Sequence, residues 1–234
     1  MEQNLNNESN ASSPPSGEFR GLRIKVCGMT STQQVRQLDE MGVEFAGFIF
    51  YPKSPRYVFK RITANEIKGI KGKINKVGVF VNADADEILR TVEECSLNLV
   101  QLHGDESPSV CERISKYVSV IKAFRLSEDD NIEWKIRHYY DAVDMYMFDT
   151  EGAGYGGTGK KFNWELLKEE NIRKPFFLSG GITPDDAEKL KAFQKVVVAK
   201  DLFAVDINSK FEVMPGVKDM EKVKGFVESL RLKV

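Results

Sequence analysis

From Leu22 onward, short apolar runs alternate with stretches whose apolar residues recur at helical spacing. Residues 22–26 form a compact β-rich run, and a capping-box pattern from Thr30 to Gln33 opens a helix carrying Val35, Leu38 and Met41. Residues 45–50 read as the next strand, followed by a loop rich in Pro, Lys and Arg and a helix over 63–70. Residues 76–81 are again strand-like, and Asp84 caps a helix with Ile88, Leu89, Val92 and Cys95 on one stripe. The second half keeps the rhythm. Strands at 97–102 and 118–124 flank a helix that begins near Asp105-Glu106, and a helical stretch over 128–140 precedes a strand at 144–148. A glycine-rich loop at 152–159 leads to a helix over 163–170 and a strand at 176–178. Thr183-Pro184 then opens a helix in the favoured order, a capping hydroxyl before a first-turn proline. Residues 203–207 form the last strand, and Met220, Val223, Phe226, Val227 and Leu230 form the inner stripe of a final helix.

About eight strands, each followed by a helix, with strands as continuously apolar as 76–81, call for a parallel sheet covered on both faces. A closed (β/α)8 barrel, the TIM barrel, is the economical α/β solution; a doubly wound open sheet is its rival. Residues 195–199 also look β-like but leave no room for a helix before the next run, so they read as an extended lead-in to the eighth strand. The Asn- and Ser-rich residues 1–20, with a Pro14-Pro15 pair, cannot bury enough surface to offset their ordering entropy. They are expected to form a flexible extension before a single barrel domain at 21–234.

Composition narrows the function. A content of 41% hydrophobic residues is enough for a sizeable core, and 34 basic against 35 acidic side chains leave no cationic field for nucleic acid or an anionic membrane. No apolar run approaches the roughly 18 residues of a membrane span, and no secretion signal is present. Three cysteines without such a signal read as free thiols of a reducing compartment, the cytoplasm. No His or Cys pair has metal-ligand spacing, so a metal is not implied. No stripe identifies a partner surface, which leaves a monomer or a homodimer.

In such a barrel the chemistry sits where the strands end and the βα loops begin. That rule selects Cys27 after the first strand, Arg56 in the second loop, His103 after the fourth and Asp149 after the sixth. It also selects Gly180-Gly181 after the seventh strand and Asn208-Ser209 after the eighth. Singly, each has a plainer use: a buried thiol as filler, a carboxylate as turn cap, a core histidine, a solvated arginine. Their convergence on one rim is what favours a site. The loops after strands seven and eight are the usual phosphate cradle of this barrel, which favours a phosphorylated small molecule. A thiol and a carboxyl facing each other suit proton transfer, provided the mouth's positive potential lowers the thiol pKa and desolvation raises that of the carboxyl.

These residues lie in segments that resemble the phosphoribosylanthranilate isomerase family over 22–232. The resemblance rests on Lys25-Val26-Cys27-Gly28-Met29-Thr30, on the run from Gly47 to Tyr57, on Val77-Gly78-Val79-Phe80-Val81-Asn82 and on Val100-Gln101-Leu102-His103-Gly104-Asp105-Glu106. It continues through Gly156-Gly157-Thr158-Gly159-Lys160, Leu178-Ser179-Gly180-Gly181, Val205-Asp206-Ile207-Asn208-Ser209 and Pro215-Gly216-Val217-Lys218-Asp219. It implies a cofactor-free Amadori rearrangement of N-(5'-phosphoribosyl)anthranilate, with Asp149 as acid and Cys27 as base. Arg56 would hold the anthranilate carboxylate, Gly180, Gly181, Asn208 and Ser209 the phosphate, and Asp206 and His103 would line the pocket. Two departures stand out. Asn208-Ser209-Lys210 replaces the family's more usual Ser-Ser-Gly, and the loop at 151–156 lacks the Asp- and Lys-containing stretch common there. A non-catalytic barrel for a phosphorylated ligand and another phosphosugar isomerase are the alternative readings.

Overall fold

A computed structural model describes residues 22–150 and 163–232. The expected flexible extension at 1–20 and the glycine-rich loop at 152–159 lie outside the described residues. Eight parallel strands follow one another around a closed barrel: β1 (Arg23–Val26), β2 (Phe45–Ile49), β3 (Asn75–Phe80), β4 (Leu99–Leu102), β5 (Ser119–Leu126), β6 (Met145–Thr150), β7 (Phe176–Leu178) and β8 (Leu202–Ile207). Closure comes from β8 pairing back onto β1, with Lys25 opposite Asp206. It leaves the sheet without an edge and rules out the doubly wound alternative.

The helices are α1 (Thr32–Glu40), α2 (Ala64–Lys68), α3 (Ala85–Cys95), α4 (Pro108–Ser115), α5 (Ile132–Ile136), α6 (Ala187–Phe193) and α7 (Met220–Arg231). Side chains on a strand alternate between its faces, which divides the core in two. One set, including Val100, Tyr146, Phe148, Val205 and Ile207, packs outward against Val35, Leu38, Ile88, Leu190 and Phe226 of the helices. The other, including Phe45, Val77, Leu99, Ile121, Met145, Met147, Phe177 and Ala204, fills the barrel.

Several elements depart from the expected pattern. The cap of α1 is Ser31, which accepts from the Gln34 N–H; Thr30 instead donates to the Gly216 carbonyl at 2.5 Å. The helix expected near Asp105-Glu106 starts at Pro108 behind the cap Ser107, because the Glu106 carboxylate is engaged by the N–H groups of Asn82 and Gly104. The helical stretch over 128–140 shrinks to α5 and a 3₁₀ turn at Arg137–Tyr139; Asp130 closes a turn on Ser127 in front of it. In place of a helix at 163–170 stands a 3₁₀ turn, Trp164–Leu167, whose two buried residues are spaced three apart as that turn requires. Residues 195–199 do not form an extended lead-in. Val197–Asp201 is another 3₁₀ turn, burying Val198 and leaving Val197 exposed. Unforeseen is a small antiparallel hairpin after β8, formed by β9 (Glu212–Met214) and β10 (Val217–Lys218).

Candidate active site

The inward-facing positions that fill the barrel continue two residues further along each strand into its C-terminal mouth. On β4 the series runs Leu99, Gln101, His103; on β6 it runs Met145, Met147, Asp149; on β8 it runs Ala204, Asp206, Asn208. Apolar below and polar above, the same alternation builds both core and site. The mouth opens to solvent, and all nine expected residues line it: Cys27, Arg56, His103, Asp149, Gly180, Gly181, Asp206, Asn208 and Ser209.

Cys27 is fixed by its N–H donating to the Ile207 carbonyl of β8 at 2.9 Å. Below it lies Lys25, wholly buried, whose ammonium donates to Asp206 Oδ1 at 2.8 Å. Gly47 of β2 makes room for both: a Cβ there would stand 3.0 Å from Cys27 Sγ and 3.1 Å from Lys25 Nζ. Burial works against the Lys25 charge, but Asp206 and the Cys27 sulfur outweigh it and hold the ammonium above the ordinary lysine range. The expectation of a lowered thiol pKa is overturned. Burial pushes the Cys27 thiol up, and the opposing pull of Lys25 does not offset it, because Asp206 adds to the push.

Across the mouth, Asp149 Oδ2 lies 3.4 Å from His103 Nε2, and Asp149 Oδ1 accepts from the Thr150 N–H at 2.8 Å. His103 Nδ1 is 2.7 Å from Gln101 Nε2. With the amide donating, the ring proton sits on Nε2 and faces the carboxylate. Gly180 and Gly181 have φ of 91° and 69°, a left-handed turn that side chains resist. Among the described residues neither glycine N–H has a protein acceptor, which suits an anion. Arg56 reaches the mouth from the second loop with one edge of its guanidinium held by Glu212.

The chain matches the family described as N-(5'-phosphoribosyl)anthranilate (PRA) isomerase over residues 24–229. The chain belongs to the phosphoribosylanthranilate isomerase family. The enzyme of that name from Parabacteroides distasonis is 40% identical over 211 residues, 88% of this chain and 92% of the relative. The crystal structure of phosphoribosylanthranilate isomerase from Thermotoga maritima superposes with a TM-score of 0.77 at 34% identity, covering 90% of this chain and 98% of that one. A further structure, 30% identical with a TM-score of 0.73 over 90% of this chain and 98% of its own, holds reduced 1-(o-carboxyphenylamino)-1-deoxyribulose 5-phosphate.

Several residues of this isomerase mouth escape a reading based on strand ends. Lys25 and Gln101 lie one inward step below the rim, and counting back by two from Cys27 and His103 would have found them. Ser179, whose Oγ is 3.5 Å from Asp206 Oδ2, also lines the mouth. Glu212 and Lys218 come from the hairpin, which no strand-end rule reaches. Lys210, where the family more often has Gly, lines the mouth beside Ser209.

Proposed function

We propose that this mouth performs the isomerisation of N-(5'-phosphoribosyl)anthranilate in tryptophan biosynthesis by proton transfer between two facing groups. The Asp149 carboxyl gives its proton to the furanose oxygen while the nitrogen lone pair breaks the bond from that oxygen to C1. The ring opens to an imine. The Cys27 thiolate then takes the C2 proton, the electron pair moves toward nitrogen, and the enolamine tautomerises to the aminoketone of 1-(2-carboxyphenylamino)-1-deoxyribulose 5-phosphate. Arg56 meets the anthranilate carboxylate through its planar fork. Gly180, Gly181, Asn208 and Ser209 receive the phosphate, and Asp206 and His103 hold the two reacting side chains in place.

The observation that carries this reading is that Cys27, at the end of β1, and Asp149, on β6, line one mouth, with the left-handed glycine turn after β7 between them in strand order. No cofactor is needed, because each proton removed has a side chain to receive it. A structurally similar isomerase holding a reduced product analogue supports a phosphorylated small molecule as ligand. Among the described residues no helix is long and apolar enough to cross a membrane; the free, buried thiols Cys27, Cys95 and Cys111 support a place in the reducing cytoplasm. We place the barrel at 21–234 with residues 1–20 appended to it, acting as a monomer or a homodimer; a relative from Thermotoga maritima is dimeric.

The test follows the fluorescence of the anthranilate-derived substrate mixed with wild-type protein and with the Cys27→Ala and Asp149→Ala variants. Loss over time with the wild type and a stall with each variant is the expected result. A variant that turns over at the wild-type rate removes its residue from the assignment.

A further inference from the structure

The hairpin after β8 is stapled to the start of α1. Thr30 donates to the Gly216 carbonyl, Gln34 Nε2 donates to the Lys218 carbonyl at 2.7 Å, and the Lys218 N–H donates to Gln34 Oε1 at 3.1 Å. The hairpin thereby presents the Glu212 carboxylate, 4% exposed, to a full set of donors. Arg56 Nε reaches its Oε1 at 2.9 Å and Arg56 Nη2 its Oε2 at 2.7 Å; Lys218 Nζ and the Gly216 N–H reach Oε1 at 2.8 and 3.1 Å. The same Lys218 ammonium donates to Asn208 Oδ1 at 2.8 Å. Between Arg56 and Asn208 sits Gly28, next to Cys27. A Cβ there would stand 2.7 Å from Arg56 Cδ and 2.9 Å from Asn208 Oδ1, so this packing has no slack.

A guanidinium has two edges that bind a carboxylate in bidentate fashion: the side edge, Nε with Nη2, and the end-on edge, Nη1 with Nη2. Glu212 occupies the side edge. Nη1 has no hydrogen-bond acceptor among the described residues. Two cations flank one carboxylate, so the cluster carries a net positive charge at the mouth, and a second carboxylate would complete it.

We propose that Glu212 is the positioning residue of the carboxylate clamp: it holds the side edge of Arg56, turns the end-on fork toward the substrate carboxylate, and through Lys218 ties that clamp to Asn208 of the phosphate cradle. This inference rests on the reading of Arg56 as the carboxylate-binding residue. It gives the hairpin a task in catalysis, since the span between clamp and cradle must match the span between the two anionic ends of the substrate.

Steady-state kinetics of Glu212→Gln, Arg56→Ala and the double variant test it. Glu212→Gln is expected to raise KM about tenfold with kcat kept within about threefold, the signature of lost ground-state and transition-state binding alike. In the Arg56→Ala background the same change should add less than about twofold, because the two residues act as one unit. Glu212→Asp, which keeps the charge but withdraws it by one methylene, should fall between; it also carries the test if Glu212→Gln leaves Lys218 too poorly paired to fold. An unchanged KM in both Glu212 variants, with Arg56→Ala still raising it, overturns the positioning role and leaves the clamp. Additive effects in the double variant, or a fall in kcat at constant KM, overturn it too. If Arg56→Ala itself leaves KM unchanged, the clamp reading is what fails.

Discussion

On the β1–β8 side of the mouth, Cys27 is 4% and Asp206 6% exposed, and Lys25 between them has no contact with solvent. On the β4–β6 side, the side chains of His103 and Asp149 are 16% and 22% exposed and stand 3.4 Å apart. The first wall is dry and held by a short ion pair; the second is wet and loosely paired. The difference matches the two tasks proposed for Cys27 and Asp149. A base that removes a carbon-bound proton gains from a site with little competing water, while an acid that must be reloaded at each turnover gains from access to it. It also separates stability from chemistry: the buried wall carries both, and the open wall carries chiefly chemistry.

Breaking the buried ion pair should have the largest effect. Lys25→Met leaves the Asp206 carboxylate buried without its counter-ion, at an expected cost of about 3–5 kcal/mol in urea unfolding. His103→Asn on the open wall should cost about 0.5 kcal/mol, as surface changes do. Equal costs for the two would erase the distinction between the walls. Next come Cys27→Ala and Asp149→Ala, each expected to lower kcat by a factor of at least ~10² while the protein stays folded. A smaller loss at Asp149 than at Cys27 would sharpen the contrast, since water can stand in for an acid on the wet side only.

The pH profile follows from the direction of the thiol shift. With the Cys27 pKa raised above the ordinary thiol value of about 8.5, its thiolate is a minor form at neutral pH in the free enzyme. Raising the pH populates the thiolate, so the rate at which iodoacetamide alkylates Cys27 should climb close to tenfold per unit through pH 8 and show no plateau before about pH 9. A plateau below pH 8 would mean that the lysine beside the sulfur dominates after all. Smallest is the effect of Cys95→Ala. Burial pushes that thiol up to about 11, and it sits on α3, outside the residues that line the mouth, so turnover should stay within about twofold of wild type in the fluorescence assay.

Much of this was legible along the chain because it rests on local rules. The eight-strand rhythm, the outward stripes of α1, α3 and α7, and the rim positions Cys27, His103, Asp149 and Asn208 all follow from strand and helix periods counted to their ends. Two of the failures share a cause. The cap of α1 moved by one residue because Thr30 found a carbonyl in the hairpin, and α4 started late because Glu106 was claimed by Asn82, Gly104 and Lys122. In each case a side chain chose a partner far away in sequence over its local one.

What the sequence by itself determined is therefore the order of elements, the closed barrel they imply and the strand-end residues Cys27, His103, Asp149 and Asn208 at its mouth, since these depend on spacing within single segments. The tertiary structure alone decided the state of those residues. Lys25 meets Asp206 only because the last strand closes on the first, and that enclosure raises the Cys27 pKa where a positive mouth was expected to lower it. Glu212 holds Arg56 only because a hairpin 156 residues away in sequence folds back beside the second loop. Desolvation and ion pairing depend on what encloses a group, and that enclosure is assembled from both ends of the chain.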